Sequence, residues 1–203
     1  MLQQLSGSYL YKDLFTYKGI RKPDLLEKLL KALALQIGSE VSYNELAQLL
    51  EVDKKTVMQY LDLLEKAFVV FRLQPLSRNL RNEISSSRKI YFYDTGIRNA
   101  LLVNFQPLSL RGDTGALWEN FLIAERNKFL HYNNHWVNTY FWRTHTQQEI
   151  DYIEERDGKF YAFEFKWGIN KKIRFPKNFL SAYPNSQTQL IDRDHFNTFL
   201  TEL

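Results

Sequence analysis

The chain has no cysteine in its 203 residues, which excludes disulfides and thiolate zinc sites and favours a reducing, cytoplasmic setting. It has no run of about 18 apolar residues, so no segment is expected to cross a membrane as a helix. The opening stretch MLQQLSGSYLYKDLF lacks the basic-then-apolar layout of a signal peptide. The pattern Gly-x-x-x-x-Gly-Lys-Ser/Thr does not occur, so these residues offer no phosphate cradle and no ATP site. Histidine is scarce, and His131, His135, His145 and His195 form no helical zinc pair around a glutamate. His131 and His135 fall in HYNNH, which has the composition of a loop.

What remains is an ordinary globular composition, 44% hydrophobic and 25% charged, sufficient for one large or two small domains. The net charge of +4 is unevenly distributed. Arg72, Arg78, Arg81, Arg88 and Lys89 face a single acid, Glu83. A second run holds Lys166, Lys171, Lys172, Arg174 and Lys177 with no acid. Such patches suit a polyanion, although either one alone is equally well a solvated surface.

The first third of the chain is helical in pattern. PDLLEKLLKALALQIG places Pro23 at a helix start and Gly38 at its stop. SYNELAQLL opens with Ser42 and carries Glu45 three residues on, a capping box. After a short turn, Asp53 can cap KKTVMQYLDLLEKAF, whose buried stripe is expected at Val57, Leu61, Leu64 and Phe68. Three helices in this order, with a tight turn before the third, predict a helix-turn-helix. VVFRLQPL and RKIYFYD follow as two strands joined by an arginine-bearing loop, the layout of a wing. Residues 21–95 are therefore expected to form a winged helix. Lys54, Lys55, Thr56 and Gln59 would lie at the start of its recognition helix, and Arg78, Arg81 and Arg88 would flank the wing, all as candidate DNA contacts. Winged helices also serve as docking units, so DNA contact does not follow from the fold alone.

DTGIRNALL predicts a short helix and NFQPLSLRGDTG a linker, and residues 96–114 are expected to form a helix-and-linker segment. A new unit, 115–203, begins with the helix ALWENFLIAERNKFL, its apolar face at Leu117, Phe121 and Ala124. NTYFWRT predicts a strand, EIDYIEERDGKFYAFEFKWG a hairpin, FPKNFLSAYP a partial helix, SQTQLID a strand and RDHFNTFLTEL a terminal helix. The hairpin is fixed by Asp157-Gly158, which tolerate the positive φ of a type I′ turn. With those two residues in the loop, Arg156 faces Lys159, Tyr152 faces Phe163, and Ile150 faces Phe165 on one largely apolar face. On the other face Asp151 meets Glu164 and Glu149 meets Lys166. Opposed carboxylates destabilise a sheet. A divalent cation between them would offset that repulsion, because hard cations take clustered carboxylate oxygens. A solvated acidic hairpin gives the same string, so the hairpin alone does not decide.

The element order α-β-β-β-α-β, with Asp151 on the second strand and Glu164-Phe-Lys166 on the third, resembles the PD-(D/E)XK nuclease superfamily. More closely, the phrases SGSYLYKDLF, QIGSEVSYNELAQLL, SRNLRNE, KIYFYDTGIRNAL, GALWENFLIAER, YFWRT and AFEFKW resemble the C-terminal half of prokaryotic AAA-type P-loop ATPases. That resemblance covers nearly the whole chain and implies an α+β or α/β protein, a winged helix followed by a nuclease-like domain, with residues 1–20 left from an ATPase lid or linker. The motor itself is missing from these residues, so an ATPase domain or partner is implied.

The nuclease resemblance implies that Asp151, Glu164 and the Phe165 carbonyl hold Mg²⁺ or Mn²⁺, that Lys166 orients water or stabilises charge, and that Glu119 completes the acid set. Arg143 is expected either on a phosphate or in a structural ion pair. Trp118, Trp142 and Trp167 are expected in the core. Two functions stay open: a metal-dependent DNA nuclease module, or a non-catalytic targeting domain of an ATPase.

Overall fold

A computed structural model describes residues 22–76, 88–168 and 173–203. Among them are seven α-helices and seven β-strands. The chain divides into two compact units, Met1–Arg72 with Ser87–Arg111, and Leu73–Ser86 with Gly112–Leu203.

In the first unit, α1 (Pro23–Leu35) has Pro at its start and buries Leu26, Leu29, Leu30 and Leu33, one stripe of the 3.6-residue period. Gly38 follows with φ 74°, a conformation that favours glycine. A two-residue strand, β1 (Glu40–Val41), was not legible in the sequence and pairs with β3. Helix α2 (Tyr43–Leu49) is capped by Ser42, whose hydroxyl accepts from the Glu45 N–H at 3.4 Å. Helix α3 (Lys54–Lys66) is capped by Asp53, which accepts from the Thr56 N–H and hydroxyl, both at 2.8 Å. That helix buries Val57, Tyr60, Leu61 and Leu64. Phe68, expected on the stripe, lies past the helix end at φ 54° and is exposed. Strands β2 (Val70–Pro75) and β3 (Arg88–Phe92) follow, and then α4 (Thr95–Leu101), capped by Asp94. Buried Arg98 donates from Nε to the Ala34 carbonyl at 3.0 Å, tying α4 to the end of α1. Helix α4, the short helix expected from DTGIRNALL, lies in the first unit.

The second unit opens with α5 (Thr114–Tyr132), which starts ahead of the predicted Ala116. The helix is buried on more than the predicted stripe, with Leu117, Trp118, Asn120, Leu122, Ile123, Ala124, Arg126 and Leu130 all enclosed. It also runs through His131, so HYNNH is not wholly a loop. Strands β4 (Asn138–Arg143), β5 (Glu149–Arg156), β6 (Lys159–Lys166) and β7 (Gln187–Asp192) lie in that order. The pairs β4–β5 and β5–β6 are antiparallel, whereas β6–β7 is parallel. The last residues of β2, Gln74 and Pro75, run parallel to Tyr140 and Phe141 of β4. Helices α6 (Lys177–Ala182) and α7 (Phe196–Thr201) complete the unit.

Both faces of this sheet are covered. Ile150, Ile153 and Ala162 pack on Phe179 of α6, while Tyr152, Phe163 and Phe165 pack on Phe199 of α7. The α5 side also buries an ion pair that the sequence did not reveal. Arg126 Nε and Nη2 donate to Glu154 Oε1 and Oε2 at 2.6 and 3.0 Å, with both side chains almost fully enclosed. Arg126 Nη1 also donates to the Phe199 carbonyl at 2.5 Å and to the Glu202 carbonyl. This guanidinium therefore fixes the C-terminal helix to the sheet.

Candidate acid–lysine site

The Asp-Gly turn sets the hairpin register as predicted. The pairs run from Arg156↔Lys159 to Tyr152↔Phe163, with Asp157 at φ 49° and Gly158 at φ 71°. Asp151 and Glu164 lie one position beyond the paired register, so the expectation that their Cα atoms stand directly opposed is corrected. The reason is a β-bulge. On β4, Tyr140 and Trp142 pair with Ile153 and Ile150, so Asp151 and Tyr152 together oppose Phe141. One extra residue re-aims a strand, and bulges recur beside functional sites. It also shifts the face alternation, which places Ile150 with Ile153 rather than with Tyr152 and Phe165.

Released from the ladder, the Asp151 side chain turns onto the neighbouring strand, where its Oδ2 accepts the Phe165 N–H at 2.8 Å. Lys166 Nζ donates to Glu164 Oε2 at 3.2 Å. Burial first, and then the charge of Asp151, push the Glu164 carboxyl up to about 8, with Lys166 pulling the other way. Burial works against the charge of Lys166, but Asp151, Glu164 and Glu119 together raise its pKa above the ordinary value. Glu119, from α5, thus acts on the same lysine. Among the described residues no three acidic or imidazole side chains form a group able to hold an ion, so Glu119 is not placed as a third ligand. Two carboxylates whose charges repel in a half-buried setting are hard oxygen donors. They suit an ion of the Mg²⁺ type, which keeps several waters.

Arg143, at the end of β4, pairs in register with Glu149 and lies 3.8 Å from its carboxylate. It also donates to Gln147. Trp118 is buried and meets Trp167 edge-on at 5.3 Å, while Trp142 meets Phe179 at 5.4 Å. The sequence missed one feature at this end of the sheet. Asp192 closes β7, in register with Lys166, and its Oδ1 meets the His195 Nδ1 at 2.8 Å.

In the first unit, Lys54, Lys55 and Gln59 are exposed at the start of α3. The Thr56 hydroxyl is engaged by the Asp53 cap. The first basic run is less available than its composition suggests. Arg72 is held by Glu65 at 2.6 Å and by Asp62, and Lys89 is buried. Arg88 opens β3 opposite Val41. Arg78, Arg81, Lys171 and Lys172 lie outside the described residues.

The class is thus a mixed α+β chain of two units, with an acid–lysine cluster at a bulged strand of the second. A family model described as a domain of unknown function (DUF8612) matches residues 1–108, and the chain belongs to that family. A second domain of unknown function (DUF4143), typically found with AAA ATPases, matches residues 114–198. Uncharacterised proteins of Mycobacterium bovis and Mycobacterium tuberculosis are each 35% identical over 162 residues, which is 78% of this chain and 36% of theirs. An uncharacterised protein of Methanocaldococcus jannaschii is 34% identical over 94 residues, 45% of this chain and 20% of its own. The chain therefore spans about a third of the length of the mycobacterial relatives. No solved structure matches it. No helix among the described residues is long and apolar enough to cross a membrane.

Proposed function

We propose that the second unit is a cation-dependent phosphodiester-hydrolysing module of the PD-(D/E)XK type, and that the first is a winged helix that carries it to DNA. The observation that supports this most is the convergence of Asp151, Glu164 and Lys166 where the bulge turns Asp151 onto β6. Charged groups crowded to this degree without an evident structural use are candidates for a functional site.

Asp151, Glu164 and the Phe165 carbonyl would hold Mg²⁺ or Mn²⁺, which when bound supplies Lewis-acid activation of water and charge neutralisation at phosphorus. Lys166 keeps its positive charge at neutral pH, because the surrounding acids raise its pKa. Placed against Glu164, it offers an N–H donor to a phosphate oxygen as negative charge develops there. Lys54, Lys55 and Gln59 are the groups of α3 that would meet DNA, with Arg78, Arg81 and Arg88 on the phosphates beside them. Arg143 is assigned to its ion pair with Glu149.

A non-catalytic targeting domain of an AAA-type ATPase is the second reading. It is favoured by the usual company of the second matched domain and by the larger size of the mycobacterial relatives. Nicking of supercoiled plasmid separates the two. Cleavage by wild type in Mg²⁺, absent with chelator and in Asp151→Ala and Lys166→Ala, is the expected result. Equal nicking by all three proteins, or none by wild type, favours the targeting role.

A further inference from the structure

The parallel strands β6 and β7 end side by side, with Lys166 in register with Asp192. Ligands in sheets of this kind gather beyond the carboxyl ends of parallel strands. At that end Asp192 is enclosed, at 9% side-chain exposure, whereas His195 is 75% exposed. Asp192 Oδ1 accepts the N–H groups of Asp194 and His195, each at 3.0 Å, which turns the chain into α7. Those two bonds suffice for a turn. The third, to the imidazole, does something further.

Burial opposes ionisation of Asp192, but the bond from His195 and the backbone N–H groups hold its carboxyl below the ordinary range. An ionised carboxylate can only accept, so Nδ1 carries the proton and Nε2 is the nitrogen left for another partner. Among the described residues, the other charges at this end are Arg193 and Asp194 on the same turn and Lys166 on the adjoining strand. Arg193 lies 3.8 Å from Asp194 and over the Trp167 ring.

We propose that His195, oriented by Asp192, is the proton donor to the leaving oxygen in the phosphodiester cleavage assigned to the neighbouring acid–lysine site. The inference rests on that assignment. In the step, the water oxygen bonds to phosphorus and the bridging P–O bond breaks, its electron pair leaving on the sugar oxygen. The proton on Nε2 of the imidazolium passes to that oxygen. The attacking water's proton is released to solvent, and His195 is reprotonated from solvent after product leaves. Asp192 is a positioning residue, because it holds the ring through Nδ1 without touching substrate.

The test is single-turnover cleavage of two duplexes in Mg²⁺, one ordinary and one with sulfur replacing the bridging oxygen at the bond that is cleaved. A thiolate leaves without needing a proton. His195→Gln should slow cleavage of the oxygen substrate by roughly 10²–10⁴-fold, the usual range for a lost general acid. The same variant should cleave the sulfur substrate within a few-fold of wild type. Asp192→Asn should show a smaller loss with the same rescue, whereas Asp151→Ala should be inactive on both. His195 is exposed, so His195→Gln should melt as wild type does. Equal slowing on both substrates, or none on either, overturns the inference and leaves the nuclease reading standing. Wild type that cleaves neither overturns both. Nitrogen NMR of the imidazole gives a readout independent of activity: the neutral ring should carry its proton on Nδ1, and an Nε2–H ring would overturn the proposal.

Discussion

Glu164 should make the protein less stable as pH rises, and Glu164→Gln should remove that dependence. Burial and the Asp151 carboxylate raise the Glu164 carboxyl from 4.5 to about 8. Between those values the folded state binds a proton that the unfolded state has released. Its contribution is therefore complete below about pH 4.5 and is lost as pH climbs towards 8. At ~1.4 kcal/mol per pH unit the whole span corresponds to at most about 5 kcal/mol. Partial solvation reduces this, so ~2–4 kcal/mol is the working expectation. Calorimetric melting of wild type and Glu164→Gln at pH 5 and pH 8.5 reads the effect of the cluster, because titrations away from Asp151, Glu164 and Lys166 cancel in the difference. The variant should gain on wild type by several degrees between the two pH values. Millimolar Mn²⁺ at pH 8.5 should restore wild type by about 3 kcal/mol at a hundredfold excess over its Kd, and leave the variant nearly unmoved. A wild-type-minus-variant difference that stays constant with pH would refute the reasoning.

The other predictions follow from single contacts. Arg126→Met leaves buried Glu154 with Arg156, 3.2 Å away, as its remaining ion-pair partner, and should cost about 3 kcal/mol, the low end for a broken buried pair, in denaturant unfolding of the second unit. Replacing both partners, as in Arg126→Met with Glu154→Leu, should recover much of that loss. Asp53→Ala removes the cap of α3 and should cost ~1 kcal/mol, read from the melt of the first unit. Charge reversal at Lys54 and Lys55 should weaken duplex binding and lower the salt slope, as measured by fluorescence anisotropy in Ca²⁺. Unchanged affinity at low salt would remove α3 from the binding surface.

Elements governed by local rules were legible in the sequence. Ser42 and Asp53 mark helix starts because their side chains accept N–H groups that the helix cannot satisfy itself. Asp157-Gly158 fixed the hairpin register because few residues tolerate the positive φ that its turn needs. The bulge at Asp151 and Tyr152 was not legible, because it arises from pairing with β4, whose register no short-range signal encodes. Its effect was to misplace Ile150 and to overstate the direct opposition of the two acids. Arg126 and Glu154 were missed because each is an ordinary charged residue until the other is known to lie against it, 28 positions away. The basic run beginning at Arg72 was overestimated for the same reason, since Asp62 and Glu65 on α3 neutralise that residue. Asp192 and His195 stand close in sequence, but only the parallel pairing of β6 with β7 brings them to the end occupied by Lys166.

The claim that Asp151 and Glu164 form a cation site is tested most directly by anomalous scattering from crystals soaked in Mn²⁺. The account predicts one peak about 2.0–2.3 Å from an oxygen of each carboxylate, lost in Asp151→Asn crystals soaked the same way. A Mn²⁺ peak elsewhere with this pair empty, or Glu164 still bonded to Lys166 at saturating Mn²⁺ with no peak beside it, would contradict it.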